Sequence, residues 1–261
     1  MTIPYNGLFG ALDVFLLVFI RITGLFVMSP IFGRRTIPGI FKVGFSLLMA
    51  IVVIQGIKMP DIRAYDSLAG WIILLAKEFI IGLMLGFVAY AILSAMYIAG
   101  QLIDMRIGFG MVNVFDPVSN TQIPITADFY IILTTLFMLI TNGHHLIIYA
   151  VSQSFTQLPI GEAAFTYPLI DQMIRLVGSI FDIGFKIAAP VTVVIMVTDM
   201  ALGIISKSVP QMNVFMLGMP VKIILGLIMV FFAMTSFHGL LNFLMEGTYR
   251  EMEAFIKAAK G

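Results

Sequence analysis

Residues 79–99 and 223–245 are two runs of more than twenty residues without a formal charge. A helix needs about 20 consecutive apolar residues to cross the hydrocarbon of a bilayer. The rest of the chain is almost as apolar: 60% of its 261 residues are hydrophobic and 11% are charged. Soluble domains carry about 45–50% apolar and about 25% charged residues. A single soluble core could not hide this excess, so the composition identifies an integral membrane protein. Strand alternation is absent and the apolar runs are continuous, which favours helices over a barrel.

The apolar stretches run over 8–28, 43–57, 68–99, 125–141, 146–158, 176–206 and 214–245, and outside the two uncharged runs they are short or broken by charge. Asp13, Arg21, Lys77, Glu78, Asp128, Asp182, Lys186, Asp199 and Lys222 all fall within or beside them. Each charge at the bilayer centre costs about 2.5–3.5 kcal/mol on insertion scales. So many cannot face lipid; they must pair within the chain or face protein or water. Asp182 and Lys186 are one helical turn apart and can pair on one face. Asp13 and Arg21 lie about 12 Å apart along a straight helix and need partners elsewhere. Asp104, Asp128, Asp182 and Asp199 could mark an ion path or could anchor packing against Arg21, Lys186 and Lys222, and packing is the reading preferred. Lys and Arg are spread without a bias that fixes orientation, which points to helices sheltered in an assembly.

Most prolines punctuate segment edges, including Pro210 and Pro220, whereas Pro190 lies inside a segment and predicts a kink. Gly82 and Gly86 form a small-xxx-small pair that would let two helix backbones approach closely. The N-terminus lacks a basic region and a cleavage site, so the first apolar segment reads as a retained helix. No internal repeat or second soluble domain is visible, and residues 1–261 read as one domain.

Several chemistries are excluded. With no cysteine there are no disulfides, thiolates or Cys-ligated metals. Net charge is +1, which gives no basic field for nucleic acid. Phosphate-binding, dinucleotide, zinc-protease and serine-hydrolase motifs are missing. His144 and His145 point about 100° apart on a helix and read as a polar helix edge. His238 reads as an interhelix hydrogen-bonding histidine. No catalytic, cofactor or metal residue is assigned.

One stretch stands apart. GQLIDMRIGFGMVNVFDP, residues 100–117, packs three glycines, an acid, a base and a proline between greasy segments. Gly100 reads as the end of a long helix, and Gly108 and Gly110 free the backbone just after Arg106. Irregular backbone at membrane depth must be buried in protein or line a water-filled cavity. Met105, Phe109, Met111 and Phe115 give the stretch a deformable apolar surface. Composition alone does not separate a loop that blocks a pore from one that fills a gap between helices. A second break, Lys207 and Pro210 to Asn213, precedes Gly218 and Pro220, which would restart a helix, and Lys222 adds a charge. It suits a docking corner for a neighbour and equally a plain turn between helices.

Four segments carry a resemblance, in order along the chain: RITGLFVMSPIFGRRTIPGIFKVG (21–44), AGQLIDMRIGFGMVNVFDP (99–117), NGHHLIIYAVSQSF (142–155) and DMALGIISKSVPQMNVFMLGMPVKI (199–223). Together they resemble the FliR family of flagellar type III export-gate proteins, called SctT in injectisomes. The resemblance implies an all-α integral membrane protein whose helical hairpins assemble in a spiral export gate, partly above the membrane plane. It implies FliP-type and FliQ-type gate subunits, FlhB-type and FlhA-type export components, exported flagellar substrate proteins and membrane lipid as partners. The bacterial inner membrane and the flagellar basal body are the implied location, with no enzymatic activity and no cofactor. Residues 106–122 would form the channel plug, with Arg106, Gly108, Phe109, Gly110, Met111, Val112, Val114 and Phe115 as gating residues. Lys207, Pro210, Asn213, Gly218, Pro220 and Lys222 would serve subunit packing. A stand-alone secondary transporter, dependent on Asp128 or Asp199, is the alternative; an intramembrane enzyme or a scaffold indifferent to the 106–122 loop are further rivals.

Overall fold

The computed structural model describes residues 8–34, 36–57, 68–109, 124–211 and 213–260. Among them are eight helices and no strand: α1 (Leu8–Met28), α2 (Gly39–Ile54), α3 (Leu68–Ile107), α4 (Ile125–Ile140), α5 (Gly143–Gln157), α6 (Tyr167–Ser208), α7 (Val214–Met234) and α8 (Phe237–Ala259). Helices α3 and α6, and Met216–Met234 of α7, are long and apolar enough to cross a membrane. The bent pair α4 and α5 makes a fourth span if its two halves are taken together. The protein is therefore an all-α membrane protein.

Several boundaries differ from those the sequence predicts. Helix α3 continues through Gly100 and ends at Ile107, so Gly100 is an interior position. The uncharged run 223–245 is divided between α7 and α8 at Thr235 and Ser236. Thr235 caps α7, its backbone N–H reaching Ala233 O and Phe232 O and its hydroxyl donating to Phe232 O. Hydropathy cannot register such a break, because both flanks are equally apolar. Gly218 and Pro220 do not restart a helix; they lie inside α7, which begins at Val214. Pro190 also lies inside a helix, α6. His238 bonds within its own helix, to Asn242 one turn away at 3.2 Å, rather than across to a neighbour.

The described residues group into two compact units, each built from separated stretches. The first comprises Met1–Ile92, Asn142–Val177 and Met245–Gly261. In it α1 lies directly on α3. A Cβ placed on Gly24 would stand 2.5 Å from Phe79 O, and one on Gly86 would stand 2.5 Å from Leu25 O. A Cβ on Gly82 would stand 2.8 Å from the carbonyl carbon of Arg21. No side chain fits there, so these glycines set the α1–α3 distance, as small residues do between membrane helices. Leu17, Ile22, Leu25, Ile81 and Leu85 are fully buried around this contact. Phe26, Phe32 and Phe45 cluster beside it, with ring centroids 4.8–5.4 Å apart.

At the centre of this unit is a buried ion pair. Arg21 Nε donates to Glu78 Oε2 at 2.5 Å, and both side chains are fully buried. Arg21 Nη1 donates to Leu158 O at 3.0 Å and Ser154 O at 3.3 Å, carbonyls at the end of α5. A cation there complements the negative end of the helix dipole. The guanidinium also lies 4.3 Å from the Phe155 ring centroid. Glu78 Oε1 accepts the N–H of Gly161, in the turn after α5, at 2.9 Å. The pair thus fastens α1, α3 and the end of α5, which is the partner that a charge such as Arg21 requires in an apolar helix.

The second unit comprises Leu93–Thr141 and Gly178–Leu244. Here Gly184 of α6 faces Ala95 and Ile98 of α3, where a Cβ would come within 2.9 Å of Ile98 Cγ2. Phe237 packs on Tyr130 and Phe137 of α4, with centroids 6.0 and 5.7 Å apart. Lys222 of α7 pairs with Asp199 of α6. Lys186 pairs with Asp182 along α6 at 2.6 Å, as their spacing predicts.

Candidate functional site at the end of the third helix

Residues 104–109 and 124–127 lie in the second unit, and Asp104 joins them. Its two carboxylate oxygens accept the backbone N–H of Thr126 at 3.0 and 3.1 Å, and one also accepts the N–H of Ala127 at 3.4 Å. The carboxylate is buried, at 5% exposure. The first N–H groups of a helix have no partner inside the helix, and a side chain just before it usually supplies one. The residue at that position of α4 is Pro124, which makes no side-chain cap. Asp104, 22 residues before Thr126 in the chain, takes that role. A carboxylate suits it, because charge-assisted bonds to the free N–H groups of a helix N-terminus are strong.

The same residue closes its own helix. The N–H of Gly108 donates to Asp104 O at 3.1 Å. Gly108 has φ +98°, a backbone conformation that costs a residue with a Cβ and costs glycine nothing. One turn before Asp104, Gly100 sits against Ala127, where a Cβ would lie 2.5 Å from Ala127 N. Glycine at 100 therefore brings the two backbones near enough for the carboxylate at 104 to reach. Three residues beyond it, Ile107 is fully buried and its side chain fills the space above Gly226 of α7. The last turns of α3 are thus fixed on α4 and on α7.

Of the gating residues expected from sequence, Arg106 is exposed in the last turn of α3, and Gly108 and Phe109 are half-buried just beyond it. Gly110, Met111, Val112, Val114 and Phe115 lie outside the described residues. Of the packing residues, Gly218 and Lys222 come together at the contact of α6 with α7: a Cβ on Gly218 would stand 3.0 Å from Leu202 Cδ1, and Lys222 holds Asp199. Lys207, Pro210 and Asn213 lie exposed around the turn between these helices. Asn213 caps α7, its Oδ1 accepting the N–H of Met216 at 3.2 Å. Pro220 is exposed on α7.

Sequence reasoning named Asp104 as an intramembrane acid but missed its capping role. The available signal is Pro124, which opens a helix with no side-chain acceptor of its own, so that the acceptor has to come from a distant residue.

Comparison with known proteins gives one consistent result. The family described as "Bacterial export proteins, family 1" matches residues 12–248. The "Flagellar biosynthetic protein FliR" of Bacillus subtilis (strain 168) is 35% identical over 237 residues, 88% of this chain and 89% of the relative. The protein of the same name from Aquifex aeolicus (strain VF5) is 25% identical over 245 residues, 94% of both chains. That of Escherichia coli (strain K12) is 25% identical over 216 residues, 83% of this chain and 82% of the relative. An all-helical apolar chain matched along nearly its whole length in this way belongs to the FliR family of bacterial export proteins.

Proposed function

We propose that this chain is a core subunit of the flagellar type III protein export gate and acts there as one domain over residues 1–261. It forms part of the channel for unfolded flagellar proteins, in the inner membrane at the flagellar basal body, in a spiral with FliP-type and FliQ-type subunits. FlhB-type and FlhA-type components deliver substrate, and the chain itself catalyses no reaction. The observation that carries this reading is the tied end of α3. Asp104 ties that end to the start of α4, and Gly108, at positive φ, follows the last residue of α3.

In this reading residues 106–122 are the plug. Its gating residues are Arg106, Gly108, Phe109, Gly110, Met111, Val112, Val114 and Phe115. Apolar surface withdrawn from water contributes about 25 cal/mol per Å², so a narrow ring of Met, Val and Phe closes a pore without locking it. Lys207, Pro210, Asn213 and Pro220 offer an exposed corner to a neighbouring subunit, and Gly218 and Lys222 fix the helices that present it.

Two measurements test the reading. The tagged chain should co-purify with two other small helical membrane proteins; recovery as a lone chain that moves solute in liposomes, and stops when Asp128 or Asp199 is neutralised, identifies a secondary transporter instead. Replacing Phe109–Phe115 by a short Gly-Ser run should raise ion leakage through membranes carrying the gate, and an unchanged leak removes the plug.

A further inference from the structure

The carboxylate of Asp104 bonds to a helix that starts 21 residues away, and this carries an inference beyond family membership. We infer that Asp104 is a positioning residue of the export conduit. It is a tether that holds the start of α4 against the last turns of α3 and so fixes the spacing of these two helix ends. The inference rests on the plug reading for its consequence, and on the Asp104 geometry for its substance.

The argument separates two tasks. A cap only needs to satisfy the amides of Thr126 and Ala127, and any acceptor at position 124 could do that. A tether must in addition join two helices. Asp104 does both, because its own backbone carbonyl closes α3 onto Gly108 while its carboxylate holds α4. Around it the contact is made for close approach: Ala127, Ile103 and Ile107 are fully buried, and Gly100 admits Ala127 where no side chain fits. A residue needed only to start α4 would be local. A carboxylate brought from α3 couples the end of α3 to the start of α4.

The test uses the whole gate complex in its membrane. Asp104→Ala should speed hydrogen exchange at Thr126 and Ala127 on the order of tenfold, the scale of a lost cap, and should raise ion leakage several-fold. Adding Pro124→Asp to Asp104→Ala supplies a local cap; it should restore the exchange rates and leave the leak high. The chain has no cysteine, so Asp104→Cys with Thr126→Cys gives a clean replacement tether. Oxidation should close the leak and reduction should reopen it. If Pro124→Asp restores tightness together with exchange, Asp104 is a cap and the tether is overturned. If Asp104→Ala changes neither exchange nor leak, while the Gly-Ser replacement of Phe109–Phe115 leaks, the tether falls and the plug stands. If the Gly-Ser variant is tight, the plug falls, and the tether is then judged by exchange at Thr126 and Ala127 and by disulfide yield: unchanged exchange or no disulfide overturns it. Should Asp104→Ala fail to assemble, Asp104→Asn, which keeps one acceptor oxygen, takes its place and should show the same changes at smaller size; its failure to show them overturns the tether.

Discussion

At the scale of single residues, the most consequential interaction is the pair of Arg21 and Glu78. Both are fully buried, and they are 57 residues apart in sequence. Removing one member of a buried pair leaves an uncompensated charge and costs about 3–5 kcal/mol. Replacing both by apolar groups removes the charges together and costs much less. Arg21→Met and Glu78→Leu should therefore each sharply lower the thermal stability of the purified protein. The double variant should recover a large part of the loss, because contacting residues are not additive. Purely additive losses in that cycle would mean the pair is not energetically coupled. The sequence marks Arg21 and Glu78 as charges that need partners, since both interrupt apolar helices. It does not show that they serve each other, nor that the carbonyls closing α5 share the guanidinium. Those facts depend on how helices distant in sequence cross.

At the scale of elements, the α1–α3 contact turns on three glycines. The pair Gly82 and Gly86 was legible, because its spacing places both on one face of α3. Gly24 was not, since an isolated glycine in an apolar helix carries no periodic signal. Overpacking a close contact costs about 1–3 kcal/mol. Gly82→Val should destabilise by that amount or more, because its Cβ would press on the Arg21 backbone and disturb the ion pair as well. Gly178, in α6, has no atom within 4 Å of an added Cβ. Gly178→Ala should therefore stabilise, by about 0.5–1 kcal/mol from helix propensity. Thermal unfolding of the two variants side by side checks the sign of each; destabilisation by both would show that space is not what decides. Element limits were less legible than element contacts. Gly100 reads as a stop in sequence and serves as a contact, whereas the stop itself is Gly108, whose positive φ no composition reveals. Thr235 and Ser236 divide α7 from α8 inside an apolar run because hydroxyls close a helix end without lowering the hydropathy around it.

For the whole molecule, what the chain covers by itself differs greatly from helix to helix. In the most apolar window of α3, 61% of residues are buried, against 22% in α6 and 17% in α7. The order of four motifs identified the family from sequence, but this difference was not legible, because all three helices are about equally apolar. Lipid can cover Phe181 and Phe185 of α6, which are 61% and 62% exposed. It cannot cheaply cover the adjacent Asp182–Lys186 pair, whose side chains are 60% and 72% exposed, since charges facing hydrocarbon are costly. Aromatic side chains beside an ion pair are instead the composition of a protein contact, with an apolar centre and paired charges kept hydrogen-bonded. In the proposed gate this stretch of α6 faces another subunit. Phe181→Ser with Phe185→Ser should therefore cut recovery of the assembled complex at least several-fold. The purified chain should keep its helical circular dichroism and its unfolding temperature, because neither ring contributes to its own core. If assembly is unaffected while the chain inserts less well into membranes, those rings face lipid, and the charged pair beside them must then be reached by water.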